Sequence, residues 1–448
     1  MALSLSQLAK KIQTKEVSPV EVTQTLLNEI EQKNPSLNAF LTVAETSAME
    51  AAKKAEQDIV SGNYKGPLHG VPIGLKDLIE TDGLRTTMGS KLFKDYIPEK
   101  DATIVQHLKD AGAIILGKLH THEFAYGPVG DRSYFGPARN PHNPSKITGG
   151  SSSGAGAAVA ANLAFAGIGT DTGGSVRIPA AACGVVGLKP TVGKISKEGV
   201  FPLSYTLDHV GPLTRTVLDN ALVLDVLSGV KRTDISTLED AFQTFSLNGL
   251  TVGIPEAYFL DELEEDVDKA FKASVAFLEN AGARLIPVEV PNLDQILWAQ
   301  TVVQTSEAYE IHEKWLTTQG TDYDPEVYER LIDSKETRGY EYVKAIRLRD
   351  SLIQGVNSLF SEVDVLLTPT LPILPTDVDQ REIVIGGKSL NVRGALLRNT
   401  RPWNYTGHPA LSVPNGWSAS GLPIGLQLSG PYNSETLLYT IGEKLLIK

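Results

Sequence analysis

The chain of 448 residues carries 42% hydrophobic and 21% charged residues, an ordinary globular balance that excludes wholesale disorder and any collagen-like or coiled-coil bias. Forty-one Lys and Arg against 53 Asp and Glu leave a formal charge of −12, which repels phosphate backbones and argues against direct nucleic-acid binding. The single cysteine, Cys183, excludes an internal disulfide framework and a Cys-based metal cluster.

The N-terminal stretch MALSLSQLAKKIQTKEV has no basic start followed by an apolar run of signal-peptide length, so a soluble cytoplasmic protein is expected. Residues 1–62 read as helical. Ser18-Pro19-Val20-Glu21 is a capping box with Pro at the first helical position, opening a helix to about Lys33, and Ala44 to about Ser61 reads as another. From Pro67 short apolar runs alternate with helical stretches. Ala113–Leu116, Ile168–Thr170, Val185–Leu188, Thr251–Ile254, Arg284–Val290, Asp364–Thr368, Ala410–Val413 and Ile424–Leu428 are predicted strands. Helical patterns cover Thr103–Ala111, Gly154–Phe165, Val217–Leu227, Glu265–Asn280 and Glu435–Leu446, with a long helical insertion at about 292–360 and a surface loop at 375–392. Such alternation predicts an α/β fold with a large mixed, mostly parallel central sheet flanked by helices on both faces, in one domain over 1–448.

Three features mimic other functions. Ile147 to Thr170 is a 24-residue stretch without a charge, but its Gly, Ala and Ser gain little from lipid, so a buried, close-packed helix is expected instead of a membrane span. Gly112–Leu119 nearly matches a phosphate loop, yet Leu119 stands where a Mg²⁺-binding hydroxyl belongs and the residues between are strand-like. His120, His122 and Glu123 lack a further ligand at a recognisable spacing, so no metal site is expected there.

Chemistry concentrates in Thr148–Thr191, which holds two serine clusters. Gly149-Gly150-Ser151-Ser152-Ser153-Gly154 precedes a small-residue helix, and Thr170-Asp171-Thr172-Gly173-Gly174-Ser175 precedes Val176-Arg177. The backbone N–H groups of Thr172, Gly173, Gly174 and Ser175 can converge on one point as an oxyanion nest, which makes Ser175 a candidate nucleophile. No histidine stands in a triad context and no GxSxG elbow exists. The remaining candidate base is Lys76, which closes the apolar run Val71–Leu75; desolvation lowers a lysine pKa from ~10.4 by up to several units. A Gly-rich structural turn plus a salt-bridged lysine is the alternative reading.

The stretches GVPIGLKD (Gly70–Asp77), GGSSSGAG, GTDTGGSVRIPAAACGVVGLKPT, ALSVP and GLPIGLQL together resemble the amidase signature family over nearly the whole chain. The resemblance implies amide hydrolysis by a Ser, cis-Ser and Lys triad, falling on Ser175, Ser151 and Lys76, with an oxyanion hole around Thr172, Gly173, Gly174 and Ser175. It also implies a cis peptide before Ser151. Asp171 and Arg177 resemble a supporting ion pair that shapes the loop, and Ser152 and Ser153 either hydrogen-bond the relay or cap the helix. The implied acyl pocket lies near Phe124–Gly127, the helical insertion and the loop before Ala410, with Tyr126, Gly127 and Trp403 as candidates; plain core packing is the alternative for Tyr126 and Trp403. No metal or cofactor is implied. The implied partner is a small-molecule amide, with a homodimer as an oligomeric option and no membrane contact.

Two kinds of member contend, a stand-alone amidase and the glutaminase (A) subunit of an aspartyl/glutamyl-tRNA amidotransferase. The glutaminase usually carries NMDEFAMG-like, RIMLG-like and GGSSGGSAAA stretches. Here His120–Gly127 and Glu336–Val343 differ from the first two, and Ser153, Ala155 and Gly156 depart from the third. These departures favour a stand-alone amidase. A non-catalytic binding protein on the same scaffold is the remote third reading, opposed by the presence of Lys76, Ser151 and Ser175.

Overall fold

The structure, a computed structural model, describes residues 3–446; Met1 and Ala2 of the stretch read as helical, and Ile447 and Lys448, lie outside it. Thirteen strands are present among the described residues: β1 Phe40–Val43, β2 Pro72–Lys76, β3 Ile114–Leu119, β4 Ala166–Asp171, β5 Val186–Lys189, β6 His209–Thr214, β7 Thr251–Pro255, β8 Arg284–Val288, β9 Val365–Pro369, β10 Glu382–Ile385, β11 Lys388–Asn391, β12 Ala410–Trp417 and β13 Pro423–Ser429. Eleven form one sheet in the order β1-β3-β2-β4-β6-β5-β12-β13-β9-β7-β8. The α/β class and the mixed sheet are as expected, but the parallel majority is not. β2 is parallel to β3 and β4, and β7 to β8 and β9. The other six junctions are antiparallel. A short connection explains one of them: five residues join β12 to β13, too few for the crossover that parallel neighbours need.

Strands at 113–116, 168–170, 185–188, 251–254, 364–368, 410–413 and 424–428 and helices at 217–227, 265–280 and 435–446 fall where the pattern puts them. Four departures have physical causes. β1 lies inside the stretch read as helical, because four residues that pair with β3 are too few to show an alternation. β6 departs from the pattern because Gly211 and Pro212 interrupt its apolar run. The stretch 375–392 contains the hairpin β10–β11, whose two-residue turn Gly386-Gly387 has φ of 57° and 81° at its centre. The helix predicted at 154–165 ends at Ala160, because the chain must turn at Asn162 to enter β4. At the other end of the chain, Ser18 accepts from the N–H groups of Val20 and Glu21 while its hydroxyl donates to Glu56. The reciprocal capping box forms at Ser4–Gln7 instead.

Helices Leu293–Gln319, Pro325–Ser334 and Gly339–Leu359 are the expected insertion. The first and third pack Ile296, Val303, Leu352 and Val356 into one apolar cluster with Phe259 and Trp403, and the second packs Val327 and Leu331 into another with Phe124 and Tyr126. Ion pairs fasten this cap to the body: Glu326 meets Arg132 at 2.7 Å and Arg381 at 2.9 Å, and Arg381 meets buried Asp131 at 2.8 Å. No helix among the described residues is long and apolar enough to cross a membrane.

Candidate active site

β2 is buried along its whole length between β3 and β4, and its last residue is Lys76. The side chain of Lys76 is fully buried, with Nζ 2.7 Å from Ser151 Oγ and 2.7 Å from Thr170 Oγ1. Burial pulls its pKa down to about 7, against the pull of the Asp208 and Asp171 carboxylates. A lysine placed this way is neutral in a large fraction of molecules near pH 7, and only the neutral amine accepts a proton.

Ser151 follows a cis peptide bond from Gly150. Its segment is pinned from several sides. The Gly150 N–H donates to Pro128 O at 2.6 Å, and Ser151 O accepts from the His122 N–H and the Ser153 hydroxyl, both at 3.1 Å. Ser152 ties this segment to the second serine cluster. Its N–H donates to Ser175 O at 3.2 Å, while its hydroxyl donates to Thr170 O at 3.1 Å and accepts from Thr170 N–H at 3.2 Å. Ser152 therefore registers the Ser151 segment against the end of β4.

β4 ends at Asp171, and the chain turns through Thr172–Ser175 into the short helix Arg177–Cys183. The buried Asp171 carboxylate organises that turn. It accepts from Gly174 N–H at 2.8 Å and Val176 N–H at 3.1 Å, and it takes two bonds from the Arg177 guanidinium, at 3.0 and 2.9 Å. Burial alone would raise the Asp171 pKa, but Arg177 and Asn404 hold it well below the usual carboxylate range. Arg177 completes its own set with Thr400 O, Gln427 Oε1 and Asn404 Oδ1 at 2.8 to 2.9 Å. Thr172 Oγ1 donates to Asp208 at 2.5 Å, and Thr400 Oγ1 donates to Gly173 O at 2.6 Å.

The expected convergence of four N–H groups fails at one position. Gly174 spends its N–H on Asp171, whereas the Gly173 and Ser175 N–H groups find no acceptor among the described residues. Gly174 serves the turn: its φ is +136°, and a Cβ there would lie 2.2 Å from Thr400 Oγ1. Ser175 itself is almost wholly buried.

The pocket candidates divide. Trp403 is fully buried, donates its indole N–H to Asn399 O at 3.1 Å and stacks on Phe259, which makes it a core residue. Tyr126 is also buried, with its hydroxyl 3.3 Å from Ser334 Oγ and the Arg330 guanidinium over its ring at 5.3 Å. Gly127 is held by contact, since a Cβ would fall 2.2 Å from His122 Nε2. The near-phosphate loop is buried strand, and Lys118 spends its ammonium on Ile79 O and Thr81 Oγ1. His120 bonds Gly136 O, Glu123 takes the Asp324 N–H, and no group of three or more His, Cys, Asp or Glu among the described residues is arranged to hold a metal. Two surface clefts, of about 530 and 650 Å³, are lined by neither Lys76, Ser151 nor Ser175, so cleft size does not locate this site. Sequence reasoning missed Thr170 as the second partner of Lys76, and Asp208, Thr400, Asn404 and Gln427 as the frame of the turn. Thr170 lies inside the serine-rich block; the other four lie 33 to 252 positions from Ser175 and carry no local signal.

A family model described as Amidase matches residues 21–439. The chain belongs to the amidase family. It is 38% identical to the A subunit of a glutamyl-tRNA(Gln) amidotransferase from Geobacter sp. (strain M21), over 97% of this chain and 95% of that one. It is equally 38% identical to an amidase from Pseudomonas putida, over 97% and 94%. Among solved structures, a crystal structure of an amidase superposes with a TM-score of 0.91 at 31% identity, covering 99% of both chains. Amidases of this family hydrolyse amides, and the two kinds of relative are equally similar to this chain.

Proposed function

We propose that this protein hydrolyses carboxamides through an acyl-serine intermediate on Ser175, with Ser151 as relay and Lys76 as base. The observation that carries the reading is the buried Lys76, paired with no carboxylate among the described residues and 2.7 Å from Ser151 Oγ, on whose segment Ser152 bonds directly to Ser175. Neutral Lys76 takes the Ser151 proton as Ser151 takes that of Ser175. Ser175 Oγ attacks the amide carbonyl, and the oxyanion meets the N–H groups of Gly173 and Ser175. The relay then returns its proton to the departing ammonia or amine as the C–N bond breaks, and a water molecule hydrolyses the ester to carboxylate and free serine. Asp171 and Arg177 hold the turn and touch no reacting atom.

The second reading, a glutaminase that delivers ammonia to a partner protein, is supported by the Geobacter relative. Ammonia release by the isolated full chain, over a panel of amides with glutamine included, separates the two. Turnover of non-glutamine amides without any partner supports the stand-alone amidase; turnover of glutamine alone, and only with partner proteins, supports the other. Ser175→Ala should abolish turnover and labelling by a fluorophosphonate. A fully active Ser175→Ala enzyme would overturn both readings.

A further inference from the structure

The turn Thr172–Ser175 has two sets of fastenings. Asp171, Arg177 and Thr400 make one. The other begins at Thr172, whose Oγ1 donates to Asp208 at 2.5 Å. Asp208 ends a tight loop, 203–208. Its other carboxylate oxygen accepts from the N–H groups of Leu203 at 2.9 Å and Ser204 at 3.1 Å. The N–H groups of Leu207 and Asp208 return to Ser204 O at 3.3 and 3.0 Å. The loop is thus closed on itself, with Asp208 as its plug and Thr172 as its attachment to the turn.

The loop's remaining donors end on the cap. Glu307, in the helix Leu293–Gln319, accepts from the Ser204 hydroxyl, from Thr206 N–H at 3.0 Å and from Thr206 Oγ1 at 2.5 Å. Tyr342, in the helix Gly339–Leu359, donates its hydroxyl to the same carboxylate at 2.9 Å. Glu307, Ser204 and Asp208 are all buried. Burying a carboxylate is costly unless donors meet it, and three of these four donors come from one loop. The same helix also reaches the turn directly. Gln300, two turns before Glu307 and on the same face, has Nε2 3.8 Å from where a Cβ on Gly173 would lie. Elsewhere the loop is fastened at the surface, where Lys197 donates to Tyr205 O at 2.6 Å.

We propose that Glu307 is a positioning residue for the oxyanion: from the cap it fixes the loop 203–208, and the loop fixes Thr172 and the N–H group of the adjoining Gly173. The proposal rests on the amide-hydrolase reading of Ser175. Oxyanion donors work because they wait within about 2.7–3.1 Å of the place where charge develops. A displacement of about 1 Å imposed from outside the site costs on the order of 10²-fold in rate. An apolar side chain at 307 strands the Ser204 hydroxyl and the Thr206 N–H, and the loop must move to satisfy them. That movement reaches Thr172 through Asp208. The loss falls on the transition state, because the carbonyl oxygen carries its full charge only there.

The test compares Glu307→Met, Glu307→Gln and Glu326→Gln in the full chain. It reads ammonia release from the amide that the parent turns over fastest, and the rate at which a fluorophosphonate labels Ser175. Glu307→Met should lower kcat about 10- to 100-fold with KM within about threefold of the parent. Labelling should slow in parallel, because the probe's phosphoryl oxygen takes the place of the oxyanion. Glu307→Gln keeps an acceptor for Ser204 and the Thr206 N–H, while its amide can donate to the Thr206 and Tyr342 hydroxyls, so it should restore most of kcat. Glu326→Gln weakens the ion pairs of the cap with Arg132 and Arg381 and leaves the loop alone. Its kcat should stay within about threefold of the parent. An equal loss of kcat in Glu326→Gln and Glu307→Met would make Glu307 one more cap fastening and overturn the proposal. A Glu307→Met enzyme with unchanged kcat and labelling, or with its whole loss in KM, overturns it as well and leaves amide hydrolysis intact. Should Glu307→Met fail to fold, Ser204→Ala carries the same comparison, since it removes the hydroxyl that Glu307 accepts and keeps the N–H that Asp208 accepts. A parent that cleaves no amide yet is labelled at Ser175, more slowly in Glu307→Met, supports the positioning and sinks the hydrolase reading. A parent neither active nor labelled overturns both.

Discussion

Arg177 and Arg393 are the same side chain in two different circumstances. Arg177 is fully buried and satisfied: it meets Asp171 twice, Thr400, Gln427 and Asn404. Arg393 is largely buried and bonds to none of the described residues. The first arrangement builds a loop, because its donors are spent on this chain and not left for a ligand. The second leaves its donors available. The same contrast separates Asp171, whose carboxylate is consumed by the turn it shapes, from Lys76, whose bonds to two hydroxyls involve no counter-ion and leave it able to change its proton count. A buried charge that is fully paired is evidence of architecture; one without a counter-charge keeps its donors, or its proton, free to exchange.

Substitutions at four residues put that contrast to the test. The largest effect belongs to Lys76. Lys76→Arg should lose about 10²–10⁴ in kcat/KM, since a guanidinium stays protonated and cannot serve as base. In the parent, activity should rise with pH through an ionisation near 7, because the ammonium form below it accepts no proton. An Arg variant within a few-fold of the parent would place the base elsewhere. The sign of the linkage can be checked too. The folded pKa of about 7 lies below the unfolded value, so the unfolded chain binds more protons from about 7 up to ~10.4. The stability contribution of this group should therefore rise with pH over that window, as read by urea unfolding of parent and Lys76→Met at pH 7 and 10.

Next comes Arg177→Met. Breaking a buried pair leaves Asp171 uncompensated, and about 3–5 kcal/mol of stability should disappear in denaturant titrations. A loss below about 1 kcal/mol would mean that Asp171 finds its partners elsewhere. Thr400→Val removes the hydroxyl that holds Gly173 O and should cost about 1 kcal/mol, with kcat falling more than KM rises if the Gly173 N–H serves the oxyanion. The smallest stability effect belongs to Arg393→Met. With no partner to lose, it should stay within about 0.5 kcal/mol of the parent or exceed it. Substantial destabilisation would make Arg393 a second Arg177 and end the contrast.

Much of this is legible along the chain. The helices at 217–227, 265–280 and 435–446 are long and patterned enough to declare themselves, and the buried strands are short apolar runs bounded by turns. Lys76 and the two serine clusters stand out because charge at the end of an apolar run, and serine between glycines, are rare and local. Strand directions are less legible. β12 and β13 read as strands, but only their short connection and their pairing make them antiparallel. Trp403 is a pocket candidate by resemblance and packs as core, since nothing local says which face of a short helix meets Phe259.

Legible along the chain, then, is the inventory: an α/β chain, its segments, and the candidate side chains at the ends of particular strands. Those follow from short-range periodicity and turn chemistry, which need no knowledge of the rest of the molecule. Tertiary structure alone decided which groups are spent and which are free. Gly174 loses its N–H to Asp171 three residues away, Arg177 finds Gln427 across 250 positions, and Arg393 finds no partner among the described residues. Pairing of buried charges depends on distances between segments far apart in the chain, and no local pattern encodes those distances.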